Sequence, residues 1–66
     1  MATFKIYKDS KGEYRWRLRA NNYKIVADSA EGYTNKKDCE DGIAIVKSQA
    51  PSATVEDETA VAAKRY

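Results

Sequence analysis

Sixty-six residues are enough for one domain, and a domain of that size buries only about 60% of the surface its unfolded chain exposes. A single cysteine and no histidine exclude an intramolecular disulfide and effectively exclude a closed zinc site, so a second copy of the chain is the most economical source of further buried surface. Net charge is +2 but unevenly placed: seven Lys/Arg face two Asp/Glu through Lys24, a balance of +5, whereas five face eight from Ile25 onward, a balance of −3.

Residues 3–8, TFKIYK, alternate with Phe4 and Ile6 on one face and Thr3, Lys5 and Tyr7 on the other, the period of a first strand. Asp9-Ser10-Lys11-Gly12 supplies turn chemistry, with Gly12 suited to positive φ. The second strand, EYRWRLRA, sends Tyr14, Trp16, Leu18 and Ala20 one way and Arg15, Arg17 and Arg19 the other. Asn21-Asn22 suits a two-residue type I′ turn. A third strand over Tyr23 to Asp28 then completes an antiparallel meander, with Tyr23, Ile25 and Ala27 on one side and Lys24, Val26 and Asp28 on the other.

Ser29 to Tyr33 breaks the alternation and leads to a helix. Asn35 or Thr34 is its expected cap, and Asp38 stands where a capping box carries its carboxylate. Asp38, Glu40 and Asp41 near the start and Lys47 near the end match the helix dipole. Cys39, Ile43, Val46 and Ala50 form one apolar stripe, and Pro51 ends the helix. Ser52 to Glu56 reads as a last short strand. The expected architecture is an α+β layer of order β, β, β, α, β, with one domain over residues 1–57 and a tail over 58–66. One helix hardly covers the apolar face and both sheet edges, which again points to pairing of two chains.

The apolar runs are too short for a membrane span, and the start of the chain has no basic segment followed by an apolar stretch, so no secretory signal is expected. A lone thiol then fits a reducing cytoplasm.

The run F-x-I-Y-K, then K-G-E-Y-R-W-R-L-R-A-N-N, then Ser29, Glu31, Gly32, Tyr33 and Thr34, then a helix with C-x-x-G-I, resembles the YegP-like proteins, a prokaryotic domain of unknown function. The likeness covers about residues 4–57. It implies tandem repeats or homodimers of a β3-α-β unit that exchange their C-terminal strands. For a chain holding one unit it implies a homodimer with Thr54 to Glu56 in the partner's sheet. It brings no catalytic residues, and Glu58 to Tyr66 inherit nothing from it.

Arg15, Arg17 and Arg19, with Lys5, Lys24 and Tyr7 beside them, are the candidate anion or nucleic-acid site, because guanidinium forks match phosphates and aromatic rings among cations can stack bases. The competing reading is a solvated sheet face whose charges discourage aggregation. Trp16 and Tyr14 could form a ligand platform, but they share a face with Leu18 and are expected in the core. Cys39 sits among Asp38, Glu40 and Asp41 with no histidine base, so a buried structural thiol is expected. Glu31 and Tyr33 are expected to bond loop amides, with Gly32 taking an unusual backbone angle. Asp38 and Asp41 offer too few oxygens for calcium. No catalytic group, metal or cofactor is therefore expected. The expected function is a small non-enzymatic homodimeric interaction or assembly module, and the alternative is a weak nucleic-acid or polyanion binder using the arginine face.

Overall fold

A computed structural model describes residues 1–59. Strands β1 (Thr3–Lys8), β2 (Tyr14–Arg19) and β3 (Ile25–Asp28) are followed by helix α1 (Lys36–Gln49) and a short 3-10 turn over Ala50–Ser52. The strands form one sheet in the order β1-β2-β3, both pairings antiparallel, and this is the expected α+β meander.

Both hairpins close in the same way. In the first, the Gly12 N–H donates to the Asp9 carbonyl (3.0 Å), the Asp9 N–H donates to the Glu13 carbonyl (2.9 Å), and Gly12 has φ 82. In the second, the Tyr23 N–H donates to the Ala20 carbonyl (2.9 Å), the Ala20 N–H donates to the Lys24 carbonyl (2.8 Å), and Tyr23 has φ 67. Each is a β-turn followed by a left-handed residue that forms a bulge. The type I′ turn expected of Asn21-Asn22 is thus corrected, since the left-handed residue is Tyr23 and neither asparagine is left-handed. The Asn22 side-chain oxygen instead accepts the Lys24 N–H (3.1 Å), which favours this longer loop.

That loop takes Tyr23 and Lys24 out of the strand, so β3 starts two residues later than expected. A register shift then sets Ile25 opposite Arg19 and Ala27 opposite Leu18, leaving Val26 as the extra residue. The simple alternation of Tyr23, Ile25 and Ala27 against Lys24, Val26 and Asp28 therefore does not hold.

On the helix side of the sheet, Phe4 lies opposite Leu18 and Ile6 opposite Trp16. Trp16 is 7% exposed and Cys39 of α1 is 0% exposed, and with Ser29 they are the buried residues among those described. The Phe4 and Trp16 rings meet edge to face, 5.5 Å between centroids at 74°. Burial of a tryptophan side chain of about 200 Å² contributes ~5 kcal/mol at ~25 cal/mol per Å². Ile43 and Val46 extend the stripe as half-buried residues, while Ala50 is exposed and Tyr14 is half-buried rather than core.

The segment between β3 and α1 works as a strap. Ser29 is buried, donates its N–H to the Trp16 carbonyl (2.8 Å) and accepts the Trp16 N–H on its hydroxyl (3.1 Å). Tyr33 exchanges both backbone hydrogen bonds with Tyr14, each 2.8 Å. Gly32 has no positive φ, contrary to expectation. It is needed because a Cβ there would stand 2.8 Å from the Cβ of Glu13. Glu31 is exposed and makes no hydrogen bond among the described residues.

Asn35 caps α1 in an extended conformation without bonding a backbone N–H through its side chain. Its amide donates instead to Asp38 (3.4 Å), so the expected capping box is not formed. At the far end, Ser52 belongs to the 3-10 turn and residues 53–58 join no strand among the described residues, so the last strand expected over Ser52 to Glu56 is not formed within one chain. A strand exists through its ladder, and within one chain no edge pairs with this segment. Val55 is 93% exposed. Most of the tail expected over 58–66 lies outside the described residues.

Gly42 lets α1 approach the sheet, since a Cβ there would come within 2.7 Å of the Tyr33 hydroxyl and 3.5 Å of the Trp16 indole nitrogen. Alanine would gain about 1 kcal/mol of helix propensity, whereas overpacking typically costs ~1–3 kcal/mol. Gly42→Ala is therefore expected to lower the midpoint of thermal unfolding followed by circular dichroism. A raised midpoint would show that Tyr33 swings aside without loss.

Candidate functional site

The register of β1 and β2 assembles most of the basic face read from the sequence. Tyr7 lies opposite Arg15, Lys5 opposite Arg17 and Thr3 opposite Arg19. Lys24 does not join this ladder, because it sits in the second turn. The three arginines, however, differ in their surroundings.

Arg15 is committed to the fold. Its Nε donates to Oδ2 of Asp9 at 2.6 Å, and the other oxygen of Asp9 accepts the N–H groups of Lys11 (2.8 Å) and Glu13 (3.0 Å). Asp9 thereby ties the turn to β2. The hydrogen bond from Arg15 is the main reason that the Asp9 carboxyl is held down to about 2, with the Glu13 and Lys11 amides adding to it and burial opposing it. The same contact pushes the Arg15 guanidinium above its ordinary range.

Arg17 and Arg19 have no carboxylate within ion-pair distance among the described residues. The Arg17 guanidinium lies 4.1 Å from the centroid of Tyr7, and that of Arg19 lies 5.5 Å from that of Tyr23. Asp28 stands opposite Arg17 on β3. Lys5 stands opposite the same arginine on β1, a like-charge neighbour that costs some stability. Such a face can bind phosphate oxygens through the guanidinium edges that the rings leave free.

The other open features are the sheet edges and the groove beneath one of them. Among the described residues neither β1 nor β3 has a second neighbour strand. Ala2 and Phe4 at the β1 edge, with Leu18, Val46, Ala50 and Pro51, line an open apolar groove of about 410 Å³. Further along β1 a more polar depression of about 550 Å³ meets Lys8, Tyr14, Lys36 and Glu40, and there the Lys8 ammonium lies 5.0 Å from the Tyr14 ring.

The remaining candidates are structural in their surroundings. Cys39 is fully buried, and burial first, then Glu40, pushes its thiol upward, away from thiolate chemistry. Asp41 is paired with Lys37 at 3.0 Å, and Asp38 accepts from Asn35. The residues that sequence reasoning missed are Asp9, read only as a turn former, and Tyr23, read as a strand residue. The shared bulge geometry of the two hairpins is the signal that would have found both.

The family profile described as "Domain of unknown function (DUF1508)" matches residues 9–57. A UPF0339 protein of Neisseria meningitidis serogroup B is 48% identical over 54 residues, which is 82% of this chain and 95% of that protein. The solution NMR structure of a protein from Haloferax volcanii superposes with a TM-score of 0.79 at 45% identity, over 85% of this chain and 93% of that one. That of a protein from Agrobacterium tumefaciens gives 0.74 at 36% identity, over 96% of this chain and all of the other.

The Asp9–Arg15 pair has a pH signature. The folded value of Asp9, about 2, lies below the ordinary 3.8, so the pair stabilises the fold above about pH 4 and its contribution is lost as pH falls toward 2. Asp9→Asn is expected to be less stable than the parent in urea at pH 7, with the difference shrinking between pH 4 and pH 2. A difference that stays constant over that range would place the effect of Asp9 in the turn amides alone.

Proposed function

The chain belongs to the DUF1508 family, and from that premise we propose that it is a non-enzymatic, homodimeric interaction and assembly module of the YegP-like kind, working in the cytoplasm. The observation that carries this reading is the segment 53–56, which joins no strand among the described residues and leaves Val55 93% exposed, beside a sheet whose two edges meet no further strand among the described residues. An extended segment and an open edge complete each other's backbone hydrogen bonds, and exchange between two copies satisfies both. Two copies also enlarge an interior whose described buried residues are only Trp16, Cys39 and Ser29. The reading as a non-enzyme is supported by the absence of histidine and by the burial of the only thiol. Among the described residues no helix is long and apolar enough to cross a membrane.

A second reading is favoured by Arg17 and Arg19, which lack carboxylate partners among the described residues. In this reading the same face binds single-stranded nucleic acid or another polyanion. Arg15 contributes little to it, being tied to Asp9.

Light scattering of the 7.4 kDa chain at micromolar concentration is expected to give the mass of two copies, and a single-chain mass would overturn the homodimer. Fluorescence anisotropy with labelled single-stranded RNA and DNA separates the two readings. The assembly reading expects no saturable binding at near-physiological salt. Saturable binding that weakens steeply with salt and vanishes in Arg17→Glu/Arg19→Glu would move the polyanion reading ahead.

A further inference from the structure

Two arginines of the basic face are each matched with a tyrosine ring, which a surface serving charge alone does not need. The Arg17 guanidinium lies over Tyr7, 4.1 Å from the ring centroid, and the Arg19 guanidinium lies over Tyr23 at 5.5 Å. Tyr7 stands on β1 opposite Arg15, one step before Arg17 on this face. Tyr23 stands in the second turn, beyond Arg19. Along the face the order is therefore ring, guanidinium, guanidinium, ring.

Tyr23 is the informative member. It is 79% exposed, so its ring gains little from burial, and its φ of 67 is a backbone conformation costly for most residues. Asparagine, the residue type that precedes it twice, occupies that conformation more cheaply. Arg19 beneath the ring has no carboxylate within ion-pair distance among the described residues. A strained and exposed ring beside such a cation points to a contact surface.

Arg17 and Arg19 are two residues apart on β2, about 7 Å along the strand, so each can hold a phosphate of its own. Lys5 adds positive charge from across the ladder, and Asp28, opposite Arg17 on β3, does not pair with it. A ring next to each guanidinium offers a flat surface on which a base stacks whatever its identity. In a duplex the bases are already stacked and paired, so only a single strand brings both phosphates and free base faces to such a surface. Polyphosphate or an acidic protein segment would engage the cations and leave the rings idle.

We propose that Tyr7, Arg17, Arg19 and Tyr23 form a short site for single-stranded nucleic acid, in which each guanidinium takes a phosphate and the two rings stack unpaired bases at either end. The inference rests on the polyanion reading of this face and names its ligand.

Fluorescence anisotropy of the full chain at low salt, with labelled oligouridylate, oligothymidylate and a DNA duplex, tests it, and circular dichroism verifies folding. The parent is expected to bind both single strands, and the duplex about tenfold more weakly. Tyr7→Thr/Tyr23→Asn leaves the net charge unchanged and suits both the strand and the left-handed turn, and it is expected to weaken single-strand binding about tenfold or more. Tyr7→Phe/Tyr23→Phe keeps the rings and is expected to bind as the parent does. Single-strand binding that survives loss of the rings, or a duplex bound as tightly as the single strands, would overturn the proposal and leave a site for polyanions at large. Equal loss in the phenylalanine variant would assign the effect to the hydroxyls and overturn stacking. No binding of any probe would remove the polyanion reading itself.

Discussion

The position of Trp16 governs the rest of the structure. It sits on the central strand, its ring is met edge-on by Phe4, and its backbone exchanges hydrogen bonds with Ser29 at the exit from β3. Because this is the one large side chain among the buried residues described, the neighbouring elements are shaped to reach it. Gly42 removes a side chain where α1 passes over it, and the strap from Ser29 to Tyr33 closes around the strand that bears it. The cost of this arrangement is visible in the indole N–H, which is buried with no hydrogen-bond partner among the described residues. A buried donor left unpaired sacrifices roughly 1–3 kcal/mol, which the apolar burial of the ring must exceed.

The opposite face of the sheet is governed by electrostatics. Three arginines in alternating register would repel one another if left bare, and the chain disperses them by different means: a carboxylate for Arg15 and aromatic rings for Arg17 and Arg19. An ion pair holds its charge in place, whereas a ring leaves the guanidinium edges free for another acceptor. The face is therefore graded from a committed end at Arg15 to an available end at Arg19.

Much of this was legible in the residues themselves. Two-residue alternation located all three strands, and the spacing of Cys39, Ile43 and Val46 gave the helix its buried side. The basic face was legible for the same reason, since parity fixes which residues share a side once the strand is known. What escaped was decided by geometry at the turns, where the number of loop residues sets the register. Two asparagines suggested a tight turn, yet the bond from the Lys24 N–H to Asn22 draws one more residue into the loop and shifts Tyr23 into the left-handed region. A non-glycine residue there costs about 1–2 kcal/mol, a penalty that no propensity scale reads from an aromatic flanked by asparagine and lysine. Gly32 shows a second limit: its need arises from the nearby Glu13 side chain, a tertiary contact, and not from its own backbone angle. The alternation read over Ser52 to Glu56 has no ladder to join among the described residues, because a strand depends on a neighbour that periodicity does not supply.

The burial of Cys39 equips the molecule with an internal clock. The chain has one thiol, and it is wholly covered where α1 meets the sheet. A soluble alkylating reagent reaches it only when the helix lifts, so the labelling rate at fixed reagent concentration measures the free energy of that opening, without any introduced probe. Since nothing else in the sequence reacts as a thiol, every label reports on this one site.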